Sequence, residues 1–409
     1  MRLVSPALSG TDDHALLAEY FDPACRADPY PVLARIREAS PLVLHGGDLV
    51  VVARYDHCRQ MLRDPSTSND PRNTRIGADI PPRQESLLFL DPPVHTRVRR
   101  LVSKAFTPRV VAALEPRIVE LVGALFDRIG DAEEFDVVRD FAVPLPMQII
   151  CELLGIPLEE YRDFENVAHL FGRVLDFHHI MPNPEIGEAE AARGTLIAYL
   201  RELIQRHRSR PDGSLLSHLV AVEEQGDTLS EVELLATCAL LMGAGFDTTV
   251  NLVSSTLGSL ISDPAAYRRL RDRPDLVPSA VEEGLRHESP VQFALRSVMQ
   301  PTTLGGLDVT PGTAVLVLFA AANRDPEHFP EPDRFVVDRA PSDHVALSAG
   351  IHYCLGAALG RVEAAVAVRE FVRRVQDPVL VPGATAFREN VNLRGRDTMP
   401  VRHRGILPA

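Results

Sequence analysis

The most informative stretch of this chain is Ser348-Ala349-Gly350-Ile351-His352-Tyr353-Cys354-Leu355-Gly356, which runs directly into Ala357-Ala358-Leu359-Gly360-Arg361. It places one cysteine between two glycines, immediately before a run of small residues that predicts the start of a helix. Gly350 and Gly356 would let a flat cofactor approach the backbone closely, and the amides of a helix N-terminus would stabilise an ionised sulfur. The arrangement therefore suits Cys354 as a thiolate ligand to haem iron. A buried free cysteine in a capping loop is the alternative for this segment alone.

The composition is that of an ordinary globular protein. Of the 409 residues, 45% are hydrophobic and 24% are charged, which supplies a large core and argues against disorder. The length is compatible with one large helical enzyme domain or with two or three small domains. The net charge of −13 argues against general affinity for nucleic acid or for an anionic membrane.

The cysteines and the N-terminus indicate the compartment. The five cysteines are scattered and show no C-x-x-C spacing, so neither a disulfide framework nor a zinc site is favoured. The segment Met1–Glu19 lacks a signal-peptide core, and no apolar run reaches the roughly 18 to 20 residues needed to span a bilayer. We therefore expect a soluble cytoplasmic protein without a membrane anchor.

Hydrophobic periodicity predicts a mainly α-helical chain with small β-sheets. Prolines ahead of residues 32–37 predict the first helix of the domain there, which leaves residues 1–27 as an N-terminal extension. Short strands are predicted at residues 49–53 and 313–320, and again in about the last thirty residues. Amphipathic helices with proline breaks follow Val110, and residues 165–190 form a candidate lid.

A long helix is predicted over residues 230–263, apolar all round and therefore central and buried. Its middle carries Ala244-Gly245-Phe246-Asp247-Thr248-Thr249, where an unpaired carboxylate would be costly to bury. Glycines weaken the helix here and Thr248 can divert a backbone carbonyl, so we expect a local opening that holds water or dioxygen. In the alternatives, Asp247 only pairs with an arginine and Thr248 only bonds to the preceding turn.

Both motifs resemble those of the cytochrome P450 superfamily, and the resemblance covers essentially the whole chain from Asp28 to Val401. It implies one mostly helical domain over residues 1–409, which encloses haem b between the long helix and the Cys354 loop. It also implies monooxygenation with O2 as co-substrate. By this resemblance, Thr248 donates a hydrogen bond to dioxygen and Asp247 supplies protons.

A second group of residues resembles the structural triad of the family. Glu283 and Arg286 are spaced i, i+3 and so lie side by side on one helical face, although alone they would be a common surface pair. The segment Phe329-Pro330-Glu331-Pro332-Asp333-Arg334-Phe335 resembles the arginine-bearing partner loop. The resemblance implies that Glu283, Arg286 and Arg334 form a triad supporting the cysteine loop.

A haem also brings two propionates, which need cations or hydrogen-bond donors. His95 and Arg99 are four residues apart and share a helical face. They resemble the propionate-binding helix of the family, and Arg296 and His352 fill the two other expected places. In the alternative, all four are ordinary solvent-exposed groups.

The opposite face of the same helix carries Arg97, Arg100 and Lys104. This basic stripe suits the docking of an acidic electron carrier such as a ferredoxin, supplied in turn by a ferredoxin reductase. A merely solvated helix face is the alternative.

The chain departs from the family pattern at one position of the cysteine loop. Leu347 stands seven residues before the cysteine, where most members have phenylalanine, and Ser348 follows it. Losing the aromatic ring beside the sulfur should alter its surroundings, so we hypothesise a shifted redox potential.

The resemblance also implies which residues line the substrate pocket, and these are Leu240, Ala244, Val291, Phe293, Leu295 and Asn392. Their mostly apolar character suits hydroxylation or epoxidation of a lipophilic molecule such as a terpenoid, steroid, fatty acid or polyketide. A peroxide-driven haem oxygenase is a competing enzyme function, and a haem-thiolate sensor or carrier is a non-enzymatic one. The acid and alcohol of the long helix argue against both.

Overall fold

The computed structural model describes residues 12–77, 86–157, 186–224, 226–340 and 343–408. Residues 165–185 of the candidate lid lie outside the described residues. Helices predominate and the sheets are small, so the predicted fold class is confirmed. Within the described residues the α-helices are α1 (Asp12–Phe21), α2 (Tyr30–Ala39), α3 (Tyr55–Arg63), α4 (Val94–Ala105), α5 (Pro108–Ile129), α6 (Pro144–Leu154), α7 (Ile186–Ser209), α8 (Leu215–Ala221), α9 (Glu231–Ser262), α10 (Pro264–Asp272), α11 (Val277–His287), α12 (Phe319–Ala322) and α13 (Ala357–Arg374).

The strands are short and form one five-stranded sheet and several smaller ones. Their bounds are β1 (Leu42–Leu44), β2 (Leu49–Val52), β3 (Thr67–Ser68), β4 (Glu134–Asp136), β5 (Glu223–Glu224), β6 (Asp227–Thr228), β7 (Phe293–Val298), β8 (Thr302–Leu304), β9 (Leu307–Val309), β10 (Ala314–Leu318), β11 (Val375–Gln376), β12 (Val379–Leu380), β13 (Ala386–Phe387), β14 (Arg396–Thr398), β15 (Pro400–Arg402) and β16 (Gly405–Ile406). The five-stranded sheet has the order β1-β2-β10-β7-β3, in which the β2–β10 pair is parallel and the other pairs are antiparallel.

Both faces of the five-stranded sheet are apolar, because alternate residues of each strand point to opposite sides. Leu49 and Val51 of β2 join a buried cluster with residues of α1 and α2. Val50 and Val52 join a second cluster with residues of α3 and of the segment before the cysteine loop. The sheet is therefore a rigid layer from which β7 projects side chains in two directions.

The N-terminal segment is part of this core from Asp12 onward. Leu17, Tyr20 and Phe21 of α1 are buried, and Phe21 packs edge-on against Phe293 of β7. The prediction of an extension over residues 1–27 was therefore wrong for residues 12–27. Helix α1 has only ten residues and begins with two aspartates, so its apolar face is short and gave a weak periodic signal.

The long helix α9 begins where the sequence predicts. Ser230 and Glu233 form a capping box in which each side chain accepts a hydrogen bond from the other residue's backbone N–H. The helix is continuous over 32 residues and packs against α6, α11 and α13. Among the described residues it alone is long and apolar enough to span a membrane, but 67% of its most apolar window is buried inside the fold.

Candidate active site

The cysteine loop is held against α3 at a backbone position that only glycine suits. Gly350 has a φ of +69°, and a Cβ there would lie 2.5 Å from the carbonyl oxygen of Leu62. The Cys354 N–H donates to the carbonyl oxygen of Leu347 at 2.9 Å, which closes the loop. Cys354 therefore lies just ahead of the N-terminus of α13, as predicted.

The surroundings of Cys354 act on its pKa in opposite directions. Burial by the surrounding chain raises the pKa of the thiol, whereas the Gly356 N–H and the charges of Arg99 and Arg361 lower it. The residue as a whole is nevertheless exposed to solvent, so its thiol lies close to the surface of the chain beside the loop. The donors and cations are those that would stabilise a thiolate.

Four groups that bind carboxylates converge beside this cysteine. The imidazole rings of His95 and His352 lie 4.3 Å apart, centroid to centroid. Arg99 extends from α4 and donates to the carbonyl oxygen of Tyr353 at 2.7 Å. Burial, together with the nearby charges of Arg296, His95 and Arg99, lowers the pKa of His352 to about 3. Two arginines and two histidines from three distant parts of the chain thus form one cluster of cations and hydrogen-bond donors.

The cluster has unused capacity to bind an anion. Both ring nitrogens of His95 are buried and have no hydrogen-bond partner among the described residues. Arg296 is 4% exposed, and its guanidinium makes its one described side-chain hydrogen bond to the carbonyl oxygen of Leu295. Burial lowers the pKa of Arg296 to about 10. A buried cation normally has a carboxylate partner, so two haem propionates fit this cluster.

Gly356, two residues after the cysteine, leaves open space beside the backbone of the loop. Gly356 has a φ of −82°, and a Cβ there would meet no protein atom within 4 Å. The residues present therefore fit a haem: one sulfur ligand, a clear backbone surface beside it, and donors for two propionates.

Helix α9 carries one accessible stripe along its middle. Between Glu233 and Gly258 every residue is buried except five, which are Ala236, Leu240, Ala244, Gly245 and Thr248. Four of them recur at intervals of four residues and so share one face. Helix α13 packs along α9, and a Cβ at Gly360 would lie 3.8 Å from Thr249 Oγ1. The middle of α9 thus lies alongside the helix that follows the cysteine loop.

The acid and the alcohol of α9 both have intramolecular partners. The buried carboxylate of Asp247 pairs with Arg388, which follows β13. Thr248 Oγ1 donates to the carbonyl oxygen of Ala244 at 2.7 Å, and Thr249 Oγ1 donates to that of Gly245 at 2.9 Å. The pairings that were the alternatives in the sequence analysis are therefore present. The helix is continuous through these residues, so the predicted local opening is not observed.

The triad has a different third member from the predicted one. Arg286 binds Glu283 through two hydrogen bonds of 2.7 and 2.8 Å, and both side chains are fully buried. Arg339 adds bonds from Nε to both carboxylate oxygens of Glu283. The side chain of Arg334 is 68% exposed and pairs with Glu331, so its assignment to the triad was wrong. Arg334 contributes only its carbonyl oxygen, which accepts from Arg286 and Arg339.

The basic stripe of α4 is also smaller than predicted. Arg97 pairs with Asp227 and with Glu233 at the start of α9, which fixes α4 to the N-terminus of the long helix. Its place in an exposed docking stripe was therefore wrong, because acidic partners from another part of the chain already hold it. Arg100 and Lys104 are exposed.

The strand β7 divides the predicted pocket residues between two faces. Phe293 and Leu295 point into the cluster with α1 and α2, on the face opposite to that of Arg296. Their assignment to the pocket was wrong, because the period of two places Ala294 with Arg296. Val291 is half-buried and forms an isolated bridge with Leu393.

Asn392 connects the C-terminal hairpin to the start of β7 by hydrogen bonds. Its side-chain oxygen accepts from the Phe293 N–H at 3.1 Å, and its carbonyl oxygen accepts from the Gln292 N–H at 2.9 Å. The hairpin formed by residues 386–398 is thereby held at its tip to the start of β7, and at its stem to α9 through Arg388.

Sequence reasoning missed Arg339 and Arg388. The need of Asp247 for a cation was apparent, but the chain carries 43 lysines and arginines and offered no signal to choose among them. For Glu283 a signal existed, since Asp333-Arg334-Phe335-Val336-Val337-Asp338-Arg339 contains a second arginine five residues after the first.

Comparisons with known proteins show the family to which this chain belongs. A family model described as Cytochrome P450 matches residues 41–376. The chain is 37% identical to a vitamin D(3) 25-hydroxylase of Pseudonocardia autotrophica, over 96% of this chain and 97% of that protein. It is 35% identical to a 6-deoxyerythronolide B hydroxylase of Saccharopolyspora erythraea, over 92% of this chain and 96% of that protein.

A solved structure shows the same fold. Ligand-free CYP164A2 of Mycobacterium smegmatis superposes with a TM-score of 0.90 at 40% identity, covering 95% of this chain and 99% of that one. Sequence and fold thus agree over nearly the full length, and the resemblance inferred from the motifs is confirmed. The chain belongs to the cytochrome P450 family of haem monooxygenases.

Proposed function

We propose that this protein binds haem b and inserts one oxygen atom of O2 into a lipophilic small molecule, by hydroxylation or epoxidation. The observation that carries the proposal is the convergence of His95, Arg99, Arg296 and His352 beside Cys354. Such a group of buried donors without a carboxylate partner in the cluster matches the two propionates of a haem whose iron meets the sulfur. We further propose that the whole chain acts as one cytoplasmic domain.

The haem, when bound, supplies the iron at which dioxygen is activated. Cys354 would be the sulfur ligand, kept ionised by the Gly356 N–H and by the charges of Arg99 and Arg361. His95 and His352 would donate N–H groups to the propionates, and the two arginines would add charge. Gly350 and Gly356 give the loop its turn and its clearance.

Asp247 and Thr248 would move protons toward the reacting oxygen. Thr248 lies on the accessible stripe of α9, and its hydroxyl can release the Ala244 carbonyl to donate toward the cleft. Arg388 pairs with the buried carboxylate of Asp247, so Asp247 can pass a proton to the hydroxyl only as that pairing loosens.

The roles of Asp247 and Arg388 can be tested by a double-mutant cycle. Asp247→Asn and Arg388→Gln should each destabilise the protein, and the double variant should be less destabilised than the sum, by roughly 0.5–3 kcal/mol. Asp247→Asn should also slow product formation by about 10²-fold, the lower end for loss of a proton-transfer group. Strictly additive effects on the free energy of unfolding would contradict the pairing.

The accessible side chains suit a lipophilic substrate. Leu240 and Ala244 supply apolar contacts on α9, and Val291 and Ala294 lie at the β7 side. The relatives described above are, by name, hydroxylases of vitamin D3 and of 6-deoxyerythronolide B. We therefore place the substrate among steroids and polyketides of comparable size.

Electrons would come from a ferredoxin and its reductase. Arg100 and Lys104 are exposed one turn apart on α4, the helix that carries Arg99. Replacing both with glutamate should slow reduction by an acidic ferredoxin and weaken its dependence on salt, because charge steers association. Arg402→Glu, at an exposed arginine of β15, is the matched control and should change neither.

The test of the proposed function is an optical titration of the purified ferric protein with a panel of lipophilic compounds. A saturable shift from low spin to high spin would identify the substrate class. The Cys354→Ala variant should lose the thiolate spectrum, and full turnover with peroxide alone would favour a peroxide-driven enzyme instead.

A further inference from the structure

The propionate cluster is assembled from parts of the chain that are far apart in sequence. His95 and Arg99 belong to α4, whereas Arg296 belongs to β7 in the five-stranded sheet. The four donors of the cluster can bind two propionates together only if α4 and β7 keep a fixed separation. Something must therefore fasten the beginning of α4 to the edge of the sheet.

Asp91, three residues before α4, makes this connection. Its carboxylate accepts from the hydroxyl of Ser68 and, at 3.0 Å, from the N–H of Asn69. Its carbonyl oxygen accepts from the N–H of His95 at 2.9 Å. One residue thus bonds through its side chain to the β3 region and through its backbone to the first turn of α4.

The residue at the other end of the link lies next to Arg296. Ser68 of β3 is paired with Ser297 of β7, the residue directly after Arg296. The Ser68 hydroxyl also accepts from the N–H of Asp70 and from Asn73 Nδ2, both at 2.9 Å. Because it is 2% exposed and uses its donor and two acceptor sites, this hydroxyl is fixed in one orientation.

The negative charge of Asp91 also acts on the two residues that it connects, His95 and Arg296. Burial lowers the pKa of Arg296 and of His95, and in both cases the negative charge of Asp91 opposes the effect. The Asp91 carboxylate makes no described hydrogen bond to the guanidinium of Arg296 or to the imidazole of His95. The Asp91 carboxylate therefore favours the charged forms of Arg296 and His95.

We propose that Asp91 is a positioning residue of the haem site, which fastens His95 and Arg99 to the strand that carries Arg296 before haem binds. The proposal rests on the proposed function, since it assumes that this cluster binds the propionates. Asp91 itself touches neither haem nor substrate, and it acts through Ser68 and the first turn of α4.

The experiment measures the rate at which haem leaves the ferric holoenzyme for an excess of apomyoglobin. Asp91→Ala should speed haem loss by about tenfold or more, as when the partner of a cofactor ligand is removed. Ser68→Ala, which removes one bond of the link and keeps the charge, should change the rate in the same direction by a smaller factor.

Asp263→Ala is the matched control for a merely structural effect. The Asp263 carboxylate also accepts backbone N–H bonds at a helix start, from Ala265 and Ala266, but it lies at α10. The Asp263→Ala substitution should lower the free energy of unfolding and leave the rate of haem loss unchanged. An unchanged rate in Asp91→Ala, or an equal increase in Asp263→Ala, would overturn the proposal.

Haem uptake by the wild-type protein tests the proposed function, whereas the rate of haem loss from the variants tests the role of Asp91. If wild-type protein took up haem with a thiolate spectrum but the variants lost it at the wild-type rate, only the role of Asp91 would fall. If wild-type protein took up no haem, both proposals would fall.

Discussion

Arg339 donates from Nε to both carboxylate oxygens of Glu283, at distances of 3.1 and 2.9 Å across 56 positions of chain. Glu283 also accepts two bonds from Arg286 and one from the N–H of Val336, so its carboxylate is fully enclosed by donors. This network ties α11 to the segment that leads into the cysteine loop.

The first prediction concerns this pair. Arg339→Gln should lower the free energy of unfolding by roughly 1.5–3 kcal/mol, because the buried carboxylate of Glu283 loses a charged hydrogen-bond donor while Arg286 stays bound to it. Arg334→Gln should cost less than about 1 kcal/mol, as expected of an exposed ion pair. Urea unfolding of both variants distinguishes them, and a larger loss for Arg334→Gln would restore the triad predicted from the sequence.

The second prediction uses two neighbouring threonines with the same hydroxyl bond. Thr248→Ala should divert reducing equivalents from product to peroxide, because the hydroxyl on the accessible stripe is lost. Thr249→Ala removes a hydroxyl that bonds in the same way but is buried, and it should leave coupling unchanged. The measurement is product and peroxide formed per electron pair, and equal uncoupling in both variants would argue against a specific role for Thr248.

The third prediction concerns a buried acid that has no role in the proposed reaction. Glu363 of α13 is 4% exposed, its Oε2 has no described partner, and burial raises its pKa to about 8. Below pH 4.5 the folded and unfolded states both hold the proton. Between that pH and about 8 only the folded state holds it, so the free energy of unfolding falls by about 1.4 kcal/mol per pH unit from this group.

Glu363→Gln should therefore stabilise the protein near pH 7.5 and have little effect near pH 4.5. Thermal unfolding of both proteins across this range tests the sign of the effect. A stability difference that is independent of pH would show that the Glu363 carboxyl does not hold its proton in the folded state.

The fourth prediction separates two glycines of the cysteine loop. Gly350→Ala should destabilise the fold by roughly 1–3 kcal/mol, since it combines a positive φ with a contact against Leu62. Gly356→Ala meets no protein atom and should leave the unfolding of haem-free protein unchanged, while weakening haem uptake. Unfolding of the haem-free proteins and haem titration of each give the two readings, and reversed outcomes would contradict the assigned roles.

The fifth prediction concerns the departure from the family pattern. Leu347 is half-buried, and its carbonyl oxygen accepts the Cys354 N–H. Leu347→Phe should shift the midpoint potential of the iron, because a ring at this position changes the polarity beside the sulfur. Redox titration of the variant against wild-type protein measures this, and an unchanged potential would remove the hypothesis.

The sequence by itself determined the features that depend on local spacing. The cysteine between its glycines, the long apolar helix α9, and the i, i+3 pairing of Glu283 with Arg286 involve residues within one helix or one loop. Their geometry follows from helical and turn periodicity alone, and each was recognisable without the fold.

Only the tertiary structure decided which distant side chains meet. Arg388 reaches Asp247 across 141 positions of chain, Arg97 is held by Asp227 and Glu233, and Arg339 takes the place predicted for Arg334. The physical reason is that charges pair by proximity and burial rather than by order in the chain. A sequence shows that a buried charge needs a partner, and only the packing of helices and sheets chooses that partner.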